Sequence, residues 1–131
     1  MRVGDELDVD WTLAGDYSTE IHLRHQRNLI IEDMLKSNRT VAYRSSGWSL
    51  YPRVHCGDLC IYHPVSSGRD IEPGNIVFCR VQPSGYHYAH LVKRIVETGG
   101  VETFWISNLA GRENGYCLEE HVFGKLMQVL K

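Results

Sequence analysis

No stretch of this chain approaches the roughly 18 to 20 consecutive apolar residues that cross a bilayer as a helix. Its first ten residues, Met-Arg-Val-Gly-Asp-Glu-Leu-Asp-Val-Asp, are acidic and lack the basic start and apolar run of an export leader. A cytoplasmic protein without a membrane anchor is expected. An excess of one charge is missing too: 14 Lys and Arg stand against 16 Asp and Glu, a formal net charge of -2. Such a chain offers no field for nucleic acid, so no direct nucleic-acid partner is expected. There is no C-x-x-C pair. His55-Cys56, Cys60 and His63 crowd together, but Cys60 and His63 fall on opposite faces if that stretch is a strand, so neither a metal nor any other cofactor is expected. Without an export signal the four cysteines read as reduced thiols, with Cys79 in the core.

What is present fits one domain of 131 residues with a single core. Residues 1–17 read as a flexible acidic arm and residues 18–131 as the folded unit. Ser18 or Thr19 caps a helix running to about Ser37, with Leu23, Ile30, Ile31, Met34 and Leu35 as its packing stripe and Asn38 at its exit. From Thr40 on, short strands rich in valine, isoleucine and aromatics alternate with Gly and Pro turns. The expected strands are 40–46, 59–63, 76–82, 86–97, 101–107 and 122–130, with long loops at 64–74 and 110–119. The fold class is therefore mainly β, a β core over about 40–131 with one N-terminal helix.

Chemistry is concentrated in two segments. Gly47-Trp48-Ser49-Leu50-Tyr51-Pro52 is followed about forty residues later by His90-Leu91-Val92-Lys93-Arg94-Ile95. A serine hydroxyl is a poor nucleophile until a neighbour takes its proton, and a neutral amine can do this as well as an imidazole. Lysine, with a reference pKa of about 10.4, becomes such a base only when apolar burial disfavours its ammonium form. The apolar run around Lys93 reads as a buried strand that supplies this setting, so Lys93 is expected to lie beside Ser49. His87 and His90 flank that strand, either tuning Lys93 electrostatically or lying on an exposed face.

At these residues the chain resembles the serine-lysine peptidases that include LexA, UmuD, many phage repressors and the bacterial signal peptidases. In that family G-x-S-M-x-P is followed by a G-D dipeptide, a second G-D-I-V and a lysine in V-K-R-I. Here the order is Gly47-Trp48-Ser49-Leu50-Tyr51-Pro52, Gly57-Asp58-Leu59, Gly74-Asn75-Ile76-Val77 and Val92-Lys93-Arg94-Ile95, and Ile106-Ser107-Asn108 and Val122-Phe123-Gly124-Lys125-Leu126 match the family's closing segments. Leu50 stands where the family has methionine, and Asn75 where it has aspartate. The resemblance implies coiled antiparallel β-sheets of the LexA and signal peptidase catalytic-domain type and a Ser-Lys endopeptidase. In that reading Ser49 is the nucleophile and Lys93 the base.

Gly47 lets the backbone turn so that amides face a developing oxyanion, while Trp48, Leu50 and Tyr51 border the substrate groove. Ser107 or Asn108 either holds the lysine amine in line or simply ends a strand in an asparagine turn. The substrate is expected to be a peptide or protein bound as an extended strand. The resemblance also suggests self-cleavage at Ala14-Gly15 upstream of the serine, and a homodimer formed through the strand at 122–130. The alternative is a catalytically idle module that keeps the fold for binding or dimerisation in a phage or stress-response pathway.

Overall fold

The computed structural model of the chain describes residues 8–15, 21–66 and 70–130. The expected cap at Ser18 or Thr19 and the arm residues 1–7, 16 and 17 lie outside them. Helix α1 (Ile21–Lys36) ends where the sequence places its exit. Asn38 adopts φ 65°, its amide donates to the Leu35 carbonyl, and the Arg39 amide donates to that of Met34. This satisfies carbonyls that a helix end otherwise leaves orphaned. Of the expected stripe, Ile31 and Leu35 are buried and Met34 is partly buried, but Leu23 and Ile30 are exposed. The buried face instead runs through Arg27, Ile31 and Leu35 at four-residue spacing.

Among the described residues eight strands follow one another as β1 (Val9–Asp10), β2 (Thr40–Arg44), β3 (Leu59–Pro64), β4 (Ile76–Arg80), β5 (His87–Thr98), β6 (Val101–Ser107), β7 (Glu113–Leu118) and β8 (Val122–Leu130). They form one mixed sheet in the order β1-β2-β3-β8-β4-β5-β6-β7, antiparallel except where β1 runs parallel to β2. The chain is mainly β with a single α-helix and a short 3-10 turn at Glu119–His121 among the described residues. No described helix is long and apolar enough to cross a membrane.

Three expectations are corrected here. Part of the supposed flexible arm is built into the fold: Val9 and Asp10 pair with Thr40 and Val41, Asp10 lies 3.3 Å from Arg39, and Leu13 joins the core. The expected loop at 110–119 contains β7, paired with β6 from Thr103–Leu118 to Ser107–Glu113. Its Asn114-Gly115 reads locally as a turn, yet the open edge of β6 recruits it. Gly115 has φ 138°, and a side chain there would overlap the Gln82 carbonyl oxygen, so only glycine lets the two segments lie together. Lastly, β8 lies inside the sheet order, paired with β3 from Gly124 to Leu130 and with β4 from Val122 to Lys125, so it is not the free edge that a dimer through 122–130 implies over its first half.

Burial on both faces explains the continuous apolar run of β4. Ile76 and Phe78 pack with α1 residues, Tyr43, Tyr62 and Leu50 in one core cluster. Val77 and Cys79 join Val92, Phe104, Ile106 and Cys117 in a second cluster. The helix sits close on the first face because Gly124 of β8 has no side chain; a Cβ there would come within 2.8 Å of Leu35 Cδ1.

Candidate functional site

β2 ends at Arg44, and the chain then closes a short loop that presents Ser49. Ser45 pins both ends: its amide donates to Asp58 O at 2.9 Å, it accepts from the Gly57 amide at 2.9 Å, and its hydroxyl donates to His55 O at 2.8 Å. Gly47, at φ 81°, makes the reversal in a region that strains residues bearing a Cβ. Leu50 and Val54 anchor the loop in the core at 7% and 3% exposure. The Leu109 amide donates to Ser49 O at 2.9 Å, fixing the backbone of the candidate nucleophile from the far side.

Ser49 Oγ lies 2.8 Å from Nε2 of His90, and Nδ1 of the same ring lies 2.7 Å from Oδ1 of Asn114. An amide oxygen only accepts, so Nδ1 carries the proton and donates it to Asn114. Nε2 is then left with a lone pair that accepts from the serine hydroxyl. His90 is buried on β5, with its ring 4.8 Å from that of Tyr88. Burial pushes its pKa below the ordinary 6.5, against a smaller opposing effect of the Asn114 hydrogen bond. The neutral form able to accept a proton is therefore favoured at neutral pH.

Lys93 is not brought to Ser49. It falls in a bulge: β5 and β6 pair Val92 with Ile106 and Arg94 with Trp105, so Lys93 has no partner in the ladder and turns to the surface. Its amine donates to Gly111 O at 3.1 Å and lies 3.8 Å from Glu113, with 43% of the side chain exposed. Arg94 donates to the same carboxylate at 3.1 Å and lies over Trp105. The Arg94 hydrogen bond, with the charges of Arg94 and Lys93, holds the Glu113 carboxyl below the usual range. Lys93 and Arg94 thus build a surface ion cluster with Glu113, and the apolar burial that a lysine base needs is missing.

The other sequence candidates divide. Trp48 lines the cavity beside Ser49 at 63% exposure, Leu50 underlies it from the core, and Tyr51 packs edge-on against Trp48 at 5.8 Å. Ser107 is buried and donates to Asn108 O. Asn108 accepts from the Arg112 amide, an asparagine turn leading into β7. Neither holds the lysine amine. Ala14 and Gly15 sit in a turn closed by Ala14 N donating to Trp11 O, outside the cavity lining; the Ala14-Gly15 bond is not extended across Ser49. Cys60 is buried and His63 exposed, and no group of three His, Cys, Asp or Glu among the described residues is placed to hold a metal.

Two residues that the structure joins to Ser49 have no catalytic role in the sequence reading. The sequence presents His90 only as a neighbour of Lys93, although a histidine within an apolar strand is itself a signal for a base. Asn114 carried no sequence signal, because its meeting with His90 depends on a β7 that local propensity hides. No family model, curated protein or solved structure matches the chain.

Proposed function

We propose that the chain is a serine hydrolase, an endopeptidase in which Ser49 is the nucleophile, His90 the general base and Asn114 the group that orients His90. The observation that carries this reading is the hydrogen-bonded series Ser49–His90–Asn114 at 2.8 and 2.7 Å. As Ser49 Oγ attacks a carbonyl carbon, its proton passes to His90 Nε2, and the carbonyl oxygen becomes an oxyanion. Among the described residues no backbone acceptor takes the amides of Trp48, Ser49 or Leu50, and backbone donors of this kind would serve that oxygen. Collapse returns the Nε2 proton to the leaving amine. Water, deprotonated by the same nitrogen, then releases the acyl group and restores Ser49.

A peptide substrate is favoured by the open cavity of about 1210 Å³ at Ser49 and the aromatic rim of Trp48 and Tyr51. Ser49 also occupies the nucleophile position of the serine-lysine peptidases that the sequence resembles, with an imidazole in the lysine's role. The test is labelling by a fluorophosphonate, read by intact mass. Wild type and Lys93→Ala should gain one adduct on Ser49, whereas Ser49→Ala and His90→Ala should not. An unlabelled wild type, or labelling that survives in His90→Ala at the wild-type rate, would return the chain to the idle binding module. The same spectra read self-cleavage at Ala14-Gly15, which requires the turn at 11–15 to open first.

A further inference from the structure

The wall of the cavity opposite Ser49 is built by α1. It carries Arg24, His25, Arg27 and Asn28, and together with His87 and His90 it gives a lining that, among the described residues, contains no Asp or Glu. Arg27 is the unusual member. It is 6% exposed, and no carboxylate among the described residues pairs with it. The nearest candidate by position, Glu32, is occupied elsewhere, 2.7 Å from His87 and 3.6 Å from Arg80.

The guanidinium lies over the Tyr43 ring at 5.0 Å, above a floor that also includes Tyr62 and Phe78. Nη1 makes one long bond, 3.4 Å, to Arg44 O, and Nε is buried with no partner. A guanidinium has five N–H donors in a planar fork. Burying that charge without an anion is costly, and it is a poor way to stabilise a fold. With one face resting on Tyr43, the free edge suits a planar bidentate acceptor.

We infer that the cavity is a specificity pocket for a carboxylate, so that the substrate acyl chain delivered to Ser49 carries an acidic side chain received by Arg27, with Arg24 at the rim. This rests on the serine hydrolase reading for its connection to catalysis, but the anion site itself stands on Arg27 and the cavity. Charge complementarity selects the occupant: two arginines and, among the described lining residues, no acid favour Glu or Asp over the isosteric amide and reject Lys. The aromatic floor takes up the methylene stem of such a side chain.

The experiment uses acetylated amino-acid diphenyl phosphonates bearing a Glu, Gln or Lys side chain, with the rate of Ser49 labelling read by intact mass. In wild type the Glu probe should react about tenfold or more faster than the Gln probe, the ratio that a charge-assisted bond sustains, and the Lys probe slowest. Arg27→Met keeps the stem and should bring the Glu to Gln ratio near one. Arg24→Gln, a rim change that leaves the core intact, should lower the ratio in part. Equal Glu and Gln rates in wild type, or a preference that survives in Arg27→Met, would overturn the assignment.

A second readout does not depend on Ser49 reactivity. The Trp48 indole resonance in Ser49→Ala is titrated with N-acetyl-glutamate amide, N-acetyl-glutamine amide and inorganic phosphate. Saturable displacement by the glutamate compound, lost in Arg27→Met, supports the pocket even if no phosphonate reacts, in which case the hydrolase reading fails alone. No displacement, or displacement by phosphate only, removes the carboxylate assignment.

Discussion

Replacing Asn114 by Asp keeps the shape of the side chain and puts a full negative charge where a neutral amide oxygen now lies 2.7 Å from His90 Nδ1. The imidazolium formed during attack on Ser49 would then be held by a charged acceptor. Hydrogen bonds to charged groups contribute about 1.5 to 3 kcal/mol and neutral ones about 0.5 to 1.5, so the transition state gains about 1 to 1.5 kcal/mol, or roughly five- to tenfold in rate. The same charge opposes the burial that depresses the His90 pKa, which moves the acid limb of the rate profile toward higher pH. At alkaline pH the variant should be faster than wild type, and on the acid side slower, with the two curves crossing. The assay is the second-order rate of fluorophosphonate labelling measured from pH 5 to 9, with the His90 ring proton followed by NMR across the same range. Parallel profiles with an unmoved limb would refute the contact between Asn114 and His90, and with it the orienting role.

Three further outcomes are expected. Lys93→Met should label within about twofold of wild type, because Lys93 makes a surface pair that contributes little; a collapse of labelling would restore the lysine base. Gly115→Ala should lose at least about 2 kcal/mol in urea denaturation and most labelling, since the added carbon meets the Gln82 carbonyl at a positive φ, next to Asn114; an unchanged midpoint would show that β7 does not pack there. Stability should fall with acidification, because His90 binds its proton less readily folded than unfolded. That contribution is fully present above pH 6.5 and is lost as the pH drops through the folded value. Thermal melts of wild type should therefore decline more steeply below pH 6.5 than those of His90→Gln, and coincident curves would show that His90 is not buried neutral.

Much of the molecule was legible without coordinates because it rests on local signals. The apolar periodicity of Ile31, Met34 and Leu35, with Asn38 beyond them, places α1 and its end. The valine and isoleucine runs place β2 to β6 and β8, and Gly47 before Ser49 marks a turn that exposes a hydroxyl. These depend on residues near one another in the chain. What only the tertiary structure decided depends on neighbours far apart. β7 contradicts the turn preference of Asn114-Gly115 and exists because β6 had an unpaired edge. One bulged residue in β5 sends Lys93 to the surface and leaves His90, three positions earlier, to meet Ser49 from β2's loop and Asn114 from β7. A single inserted residue reverses which face of a strand every later side chain takes, and nothing in Val92-Lys93-Arg94-Ile95 by itself announces it. Strand pairing thus separates the two candidates: the β5–β6 bulge sends Lys93 to the surface, while His90 lies before that bulge, paired with Val77 of β4 and turned to Ser49.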